Sequence, residues 1–253
     1  MTINEFPAAR DRFSMTVPLY VQIAEGFLDR IESGELAPGD RLPPERELSE
    51  LLSVNRMTVR RALRMLEGQG LLIRRQGAGT YVAKPKIERQ ASQLFPFTRG
   101  MEQRGYKPGI QLITFERRPA ETSIAQKLDI PVAAPVFRAY RLRTLNQEAV
   151  MLEDFTVPAN IFTNFDHHDL SSRSLYEIFS TEYQLSISQA HQSLEPVIAS
   201  EYEARLLNID TGAPMMLERR LAFDEQGRPV EYSKDLYRGD RFRFITEIAS
   251  LEL

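Results

Sequence analysis

Asn55-Arg56-Met57-Thr58-Val59-Arg60-Arg61-Ala62-Leu63-Arg64-Met65-Leu66 is the stretch on which the reading of the chain turns. Val59, Ala62, Leu63 and Leu66 recur at i, i+3, i+4 and i+7, the apolar stripe of a helix packed on a core. Arg56, Arg60 and Arg64 are spaced by fours and form one outward row, with Arg61 beside it. Asn55 is a good N-cap and places Arg56 and the Thr58 hydroxyl in the first turn. A short helix with an apolar back and an arginine front suits the DNA major groove, where arginine grips guanine O6 and N7 or clamps phosphates. A solvated basic face is the plainer reading of such a helix taken alone, so its flanks decide.

Working outward, Ser53-Val54 forms a tight turn into this helix. Glu45-Arg46-Glu47-Leu48-Ser49-Glu50-Leu51-Leu52 before it is a two-turn helix with prolines at its entrance and acids in its first turn. The link Leu36-Ala37-Pro38-Gly39-Asp40-Arg41-Leu42-Pro43-Pro44 is turn-rich and carries two core leucines. Tyr20, Ile23, Ala24, Phe27, Leu28 and Ile31 follow helical spacing, and Ser33-Gly34 ends that helix. Residues 1–16 are polar and aperiodic, expected as a loose arm. On the other side Gly68-Gln69-Gly70 breaks the arginine helix. Leu71-Leu72-Ile73-Arg74-Arg75 and Thr80-Tyr81-Val82-Ala83 read as strands about the turn Gln76-Gly77-Ala78-Gly79. Three helices and a two-stranded hairpin make a winged helix-turn-helix.

Pro18-Leu19-Tyr20, Gly39-Asp40-Arg41-Leu42-Pro43, Glu45-Arg46-Glu47-Leu48, Asn55 to Arg60, Ala62-Leu63 and Gly77-Ala78-Gly79-Thr80-Tyr81-Val82 resemble the GntR family of bacterial repressors over residues 17–84. The resemblance implies that Arg46, Asn55, Arg56, Thr58 and Arg60 face DNA, and Arg61 beside the arginine row is expected to join them. It also implies that the wing tip (Gln76, Gly77, Gly79) lies along the minor groove. The family often has Ser where Pro44 stands, and Pro44 cannot cap through a side-chain oxygen.

Length and composition agree. The 253 residues suffice for two ordinary domains, and 42% hydrophobic with 26% charged residues describe a soluble globular chain. No apolar run approaches the ~20 residues of a membrane helix, and no signal-peptide pattern opens the chain. Cys is absent, which removes disulfides and thiolate metal sites and points to a reducing cytoplasm. The net charge of −3 hides an asymmetry. Residues 56–84 carry seven basic residues against the single acid Glu67, whereas residues 85–253 hold 20 basic against 24 acidic residues. Positive charge is concentrated where an anionic polymer would be met.

Residues 85–93 show neither periodicity nor core residues and are expected as an interdomain linker. Residues 94–253 read as α+β, with strands at 110–117, 136–143, 149–157, 185–197, 214–223, 229–237 and 242–248. Short helices fit 97–104, 121–128, 174–179 and 200–207, and Asp224 to Gly227 is a hairpin turn. Leu217, Arg219, Leu221 and Phe223 alternate with polar neighbours as a half-buried antiparallel strand would. Phe97-Thr98 with Arg104-Gly105, Tyr140-Arg141-Leu142-Arg143, Glu153, Ser174-Leu175-Tyr176, Pro229-Val230-Glu231 and Tyr237-Arg238-Gly239-Asp240-Arg241 resemble the effector (UTRA) domain of the HutC subfamily, related in fold to chorismate lyase.

Arg141 and Arg143, at i and i+2 of a strand, leave the same face and repel unless an anion or carboxylate joins them. Ser174 at a helix start adds a hydroxyl and free N–H groups. Glu153 and Glu231 either accept from sugar hydroxyls or neutralise the arginines in a buried network without ligand; spacing alone leaves both open. The resemblance implies a pocket for a phosphorylated amino sugar or small organic acid, lined by Phe97, Thr98, Arg141, Arg143, Glu153, Ser174, Tyr176, Glu231 and Tyr237. Arg99-Gly100 follows Thr98 where the sugar-phosphate branch often shows acids, and this leaves the ligand open. His167-His168 beside Asp166 and Asp169 suggest a surface loop rather than a metal site, and His191 a sheet residue.

The expected protein is therefore α+β, a winged helix-turn-helix joined to an antiparallel-sheet effector domain of chorismate lyase-like fold. It would be a ligand-responsive regulator, a repressor of a catabolic operon, binding a double-stranded DNA operator as a homodimer and responding to a small anionic effector, without a cofactor. The alternatives are an enzyme of lyase-like fold with an appended DNA-binding domain, against which stands the lack of any nucleophile–base pair or cofactor loop, and a constitutive DNA-binding protein whose second domain only dimerises.

Overall fold

The computed structural model describes residues 17–75, 77–92 and 96–247. The expected loose arm at 1–16 and the wing residue Gln76 lie outside the described residues. The chain divides into two compact units, Met1–Lys86 and Ile87–Leu253.

In the first unit, α1 (Leu19–Glu32), α2 (Glu45–Leu51) and α3 (Arg56–Gly68) enclose one apolar cluster. Phe27, Leu48, Val59, Ala62 and Leu66 at its centre are essentially inaccessible, and full burial of each large side chain contributes about 1.5–3 kcal/mol. α3 begins where Asn55 Oδ1 accepts from the Met57 N–H at 2.7 Å, which satisfies one of the free donors of the first turn. α2 begins at Pro44 without a side-chain cap; Glu45 and Glu47 in its first turn complement the helix dipole instead. The hairpin β1 (Leu72–Arg75) and β2 (Gly79–Val82) pairs antiparallel from Leu72↔Val82 to Arg75↔Gly79. The link before α2 zips onto it: Leu42 N–H donates to Thr80 O at 2.8 Å and Val82 N–H to Asp40 O at 2.8 Å. Gly79 has φ +118°, and a Cβ there would meet Arg41 Nε at 2.9 Å. The wing turn therefore requires glycine at this position for its backbone conformation.

The second unit is built on a six-stranded antiparallel sheet of order β4-β5-β6-β9-β8-β7. Its strands are β4 (Pro108–Pro119), β5 (Pro135–Leu145), β6 (Glu148–Pro158), β7 (Ile187–Ile198), β8 (Pro214–Asp224) and β9 (Pro229–Arg238). Helices α4 (Phe97–Glu102), α5 (Thr122–Leu128), α6 (Leu175–Glu182) and α7 (Glu201–Leu207) complete it. On one face Phe137, Phe155 and Val157 of the sheet pack with Phe162, Phe165, Ile178 and Phe179.

Two expectations fail here. Residues 85–93, read as a linker without core residues, contain β3 (Ile87–Gln90), which pairs in parallel with β10 (Phe242–Ile245) from Phe242↔Ile87 to Ile245↔Gln90. Ile87 is buried against Phe97, Tyr237 and Phe242. A four-residue, mostly polar strand carries too little periodicity to be visible when its partner is about 155 residues away. On β8 the buried parity is not that of Leu217, Leu221 and Phe223 but that of Glu218, Arg220, Ala222 and Asp224. The charged side chains face the covered side of the sheet because acids and bases from neighbouring strands meet them there.

Candidate functional site

The first unit brings the arginines of α3 together on one surface. Tyr20, Met57, Thr58, Arg60, Arg61 and Arg64 line one shallow depression. Arg61 lies over the Tyr20 ring, its guanidinium carbon 3.9 Å from the centroid, a cation–π contact that leaves the charge at the surface. Arg46 is exposed and pairs with Glu50 one turn on at 3.0 Å. Asn55 spends its side-chain oxygen on the cap. At the wing, Gly77 (φ +72°) and Gly79 make the turn, and Arg75 lies over the Tyr81 ring. Composition did not single out Glu45, yet its carboxylate gathers Arg60 (Nη2–Oε2 2.7 Å), Arg56 (3.2 Å) and Arg74 (3.6 Å). Hydrogen bonding to Arg60 lowers the Glu45 pKa and outweighs the upward effect of burial, so the acid stays charged.

In the second unit, one register line crosses four strands: Arg141 on β5 faces Glu153 on β6, which faces Asp235 on β9, which faces Glu218 on β8. Glu153 Oε2 accepts from Arg141 Nε at 2.9 Å and from Arg143 Nη1 at 3.0 Å. A carboxylate thus joins the two arginines, one of the two arrangements their spacing allowed. Arg141 Nη1 also donates to the carbonyls of Leu170 and Arg173, each at 3.2 Å, and so ties down the loop that leads into α6. Arg143 Nη2 donates to Thr98 Oγ1 at 2.7 Å, and its guanidinium stacks on Phe97. Ser174 precedes α6 with no capping hydrogen bond, so its hydroxyl is not committed to the helix.

Glu231 does not pair with these arginines. It accepts from Tyr176 Oη at 2.8 Å and from Arg220 Nη2 at 3.2 Å. Arg220 also reaches Glu218 at 3.1 Å and Asp235 at 3.4 Å. Burial raises the Glu153 pKa, but the Arg141 and Arg143 charges and their hydrogen bonds more than offset it, holding the group at about 2. Asp235 moves the other way. Burial, together with Glu153, Glu218 and Glu231 nearby, raises it well above the ordinary carboxylate value despite Arg220.

A small cavity of about 30 Å³, roughly the space of one water, is lined by Arg143, Glu153, Ser174, Tyr176, Asp235 and Tyr237 among others. It shares Arg89, Pro96 and Phe97 with an outer depression of ≈ 250 Å³ beside α4. Tyr237 Oη and Asp235 Oδ1 are buried and have no hydrogen-bond partner among the described residues. Of the nine pocket residues expected from sequence, Phe97, Arg143, Glu153, Ser174, Tyr176 and Tyr237 line the cavity; Thr98, Arg141 and Glu231 support them through hydrogen bonds. Sequence reading missed Arg89, Glu218, Arg220 and Asp235. Arg89 lay in the supposed linker, and the other three became neighbours only through strand register. His168 Nε2 bonds the Tyr183 hydroxyl at 3.0 Å and His191 packs on Phe223.

The bacterial regulatory proteins of the gntR family match residues 19–82, and the UTRA domain matches residues 103–243. The chain is 36% identical over 229 residues to the HTH-type transcriptional repressor NagR of Bacillus subtilis (strain 168), covering 90% of this chain and 94% of the relative. It is 32% identical to the mannosyl-D-glycerate transport/metabolism system repressor MngR of Escherichia coli (strain K12), covering 90% and 94% respectively. The crystal structure of PhnF from Mycobacterium smegmatis superposes with a TM-score of 0.65 at 30% identity, over 90% of this chain and all of that one. The chain belongs to the gntR family, with a winged helix-turn-helix followed by a UTRA effector domain. It is a DNA-binding transcriptional regulator and not an enzyme. No described helix is long and apolar enough to cross a membrane.

Proposed function

We propose that this regulator represses an operon for the use of a sugar-derived compound, binding a double-stranded operator as a homodimer and responding to a small anionic metabolite held in the UTRA cavity. The relatives support the repressor and sugar-related reading: NagR is a repressor, and MngR a repressor of mannosyl-D-glycerate transport and metabolism. The observation that carries the effector reading is the cavity itself. Arg143 and the Ser174 hydroxyl suit a phosphate or carboxylate, while Glu153, Asp235 and Tyr237 Oη offer partners for hydroxyl or amine groups. The buried Tyr237 and Asp235 oxygens, without a hydrogen-bond partner among the described residues, support this reading. The cavity of about 30 Å³ adjoins the outer depression beside α4, and a sugar phosphate would occupy both with Phe97 and α4 moving outward from Arg143. That movement is a natural source of the regulatory signal.

DNA reading rests on Arg56, Arg60 and Arg46 at base edges, with Thr58, Arg61 and the Gly77–Gly79 turn at the backbone. A thermal-shift screen with hexose phosphates, amino-sugar phosphates, small carboxylates and inorganic phosphate tests the effector. A ligand at ~100 times its Kd adds about 2.7 kcal/mol of stability. The shift should vanish in Arg143→Ala and shrink in Ser174→Ala, while Arg60→Ala keeps it and loses operator binding. A hit that Arg143→Ala retains would place the effector elsewhere.

A further inference from the structure

Glu45 stands behind three arginines of the reading face, and its position assigns it a task in DNA recognition. Its side chain is 11% exposed, against 30% for Arg60 and 59% for Arg56. It takes Arg60 through Nε (3.0 and 3.1 Å) and Nη2 (2.7 Å). A guanidinium has five N–H groups in a planar fork. When a carboxylate occupies the Nε–Nη2 edge, the opposite edge keeps one N–H on Nη1 and one on Nη2. That outer pair matches guanine O6 and N7. Among the described residues Nη1 itself meets only the weak acceptor Met57 Sδ, at 3.8 Å. Arg56 Nε donates to the same carboxylate at 3.2 Å, and Arg74 of the wing strand approaches it at 3.6 Å. Three positive charges against one negative still attract phosphate, while the two α3 side chains lose the freedom to wander onto it.

We propose that Glu45 is a specificity-determining positioning residue, which holds Arg60 and Arg56 in the one orientation that reads guanine in the major groove. The inference rests on α3 being the reading helix and goes beyond it by assigning selectivity to an acid that repels DNA. An unbuttressed arginine spends its charge on whichever phosphate is nearest, and that contact carries no sequence information. Without the acid, non-specific affinity holds or rises while preference falls.

The test uses the full-length protein. Selection from a randomised duplex pool yields the sequence it prefers. Binding to that duplex and to a scrambled one is then measured at fixed salt for the wild type, Glu45→Gln, Glu45→Ala, Arg60→Ala and Arg60→Ala/Glu45→Gln. Melting is followed in parallel. Glu45→Gln should cut the preferred-to-scrambled ratio about tenfold or more, with scrambled binding unchanged or tighter and melting nearly unchanged. In the Arg60→Ala background the same substitution should cut it far less. Equal strengthening on both duplexes would make Glu45 a mere electrostatic brake, and equal weakening with a lowered melting point would make it structural; either overturns the proposal. If Glu45→Gln melts early, Glu45→Ala at a lower temperature is read the same way. A wild-type protein that selects no sequence would instead overturn the reading of α3 itself.

Discussion

At the scale of single residues, the buried carboxylates of the UTRA unit behave in opposite ways because their neighbours differ. Glu153 touches two guanidinium groups and remains ionised. Asp235, one strand over, sits between Glu153 and Glu218 on the register line and shares a single arginine with Glu231. Its raised pKa means that the folded chain keeps a proton which the unfolded chain releases above about 3.8. The native state therefore binds more protons in that window, and stability falls as pH rises through it. Asp235→Asn removes the titration. Its melting temperature should exceed that of the wild type near pH 7, with the difference closing as pH falls toward 4. A variant less stable at every pH would mean that Asp235 is a charged partner of Arg220. Glu153 works the other way: its contribution is present above 4.5 and is lost as pH falls toward 2. Glu153 was legible in the sequence as a possible partner of the two arginines, whereas Glu218 and Asp235 were two acids among many. Arg141-x-Arg143 was legible, because alternation in a strand puts i and i+2 on one face whatever the fold.

At the scale of elements, local rules served wherever the element's own residues decide its form. The start of α3 follows from Asn55, whose cap bond the structure contains. Asn55→Ala should cost about 1 kcal/mol, read as a lower denaturation midpoint for the first unit's transition with the second unit's unchanged. A change below a few tenths would mean that neighbouring contacts, not the cap, set this helix start. β8 marks the limit of such rules. Its apolar residues alternate as a core face would, yet Glu218 and Arg220 are buried more deeply than Leu217 and Leu221. Alternation locates two faces but does not say which is covered, because that depends on what the adjacent strands place opposite. β3 marks another limit, since its hydrogen bonds come from β10 across the whole length of the unit.

At the scale of the whole molecule, two units must act together, and the proposed regulation is a coupling between two binding events. In a helix-turn-helix dimer the half-sites lie about 34–36 Å apart, so sedimentation should give twice the monomer mass for the free protein and the mass of two chains plus one duplex for the complex. A monomer on DNA at saturating protein would rule out the paired reading. An effector found by thermal shift should change operator affinity about 5–150-fold, the usual 1–3 kcal/mol of coupling, and DNA should change effector affinity by the same factor. Effector binding that leaves operator affinity untouched would reduce the UTRA unit to a dimerisation module.

The sequence by itself determined the winged helix-turn-helix, the arginine row with its cap and glycine turn, the strands of the second unit other than β3, and the placement of Arg141 and Arg143 on one face of theirs. Each depends on neighbours within a few positions, or on motifs of fixed spacing. Tertiary structure alone decided that Glu45 gathers Arg56, Arg60 and Arg74, that Arg89 lines the cavity from a strand hidden in a polar run, and that Asp235, Glu218 and Arg220 join Glu153. The reason is physical. A charge's energy in a buried site is set by the charges a few ångströms away, and those come from strands far apart in the chain whose register no local pattern contains.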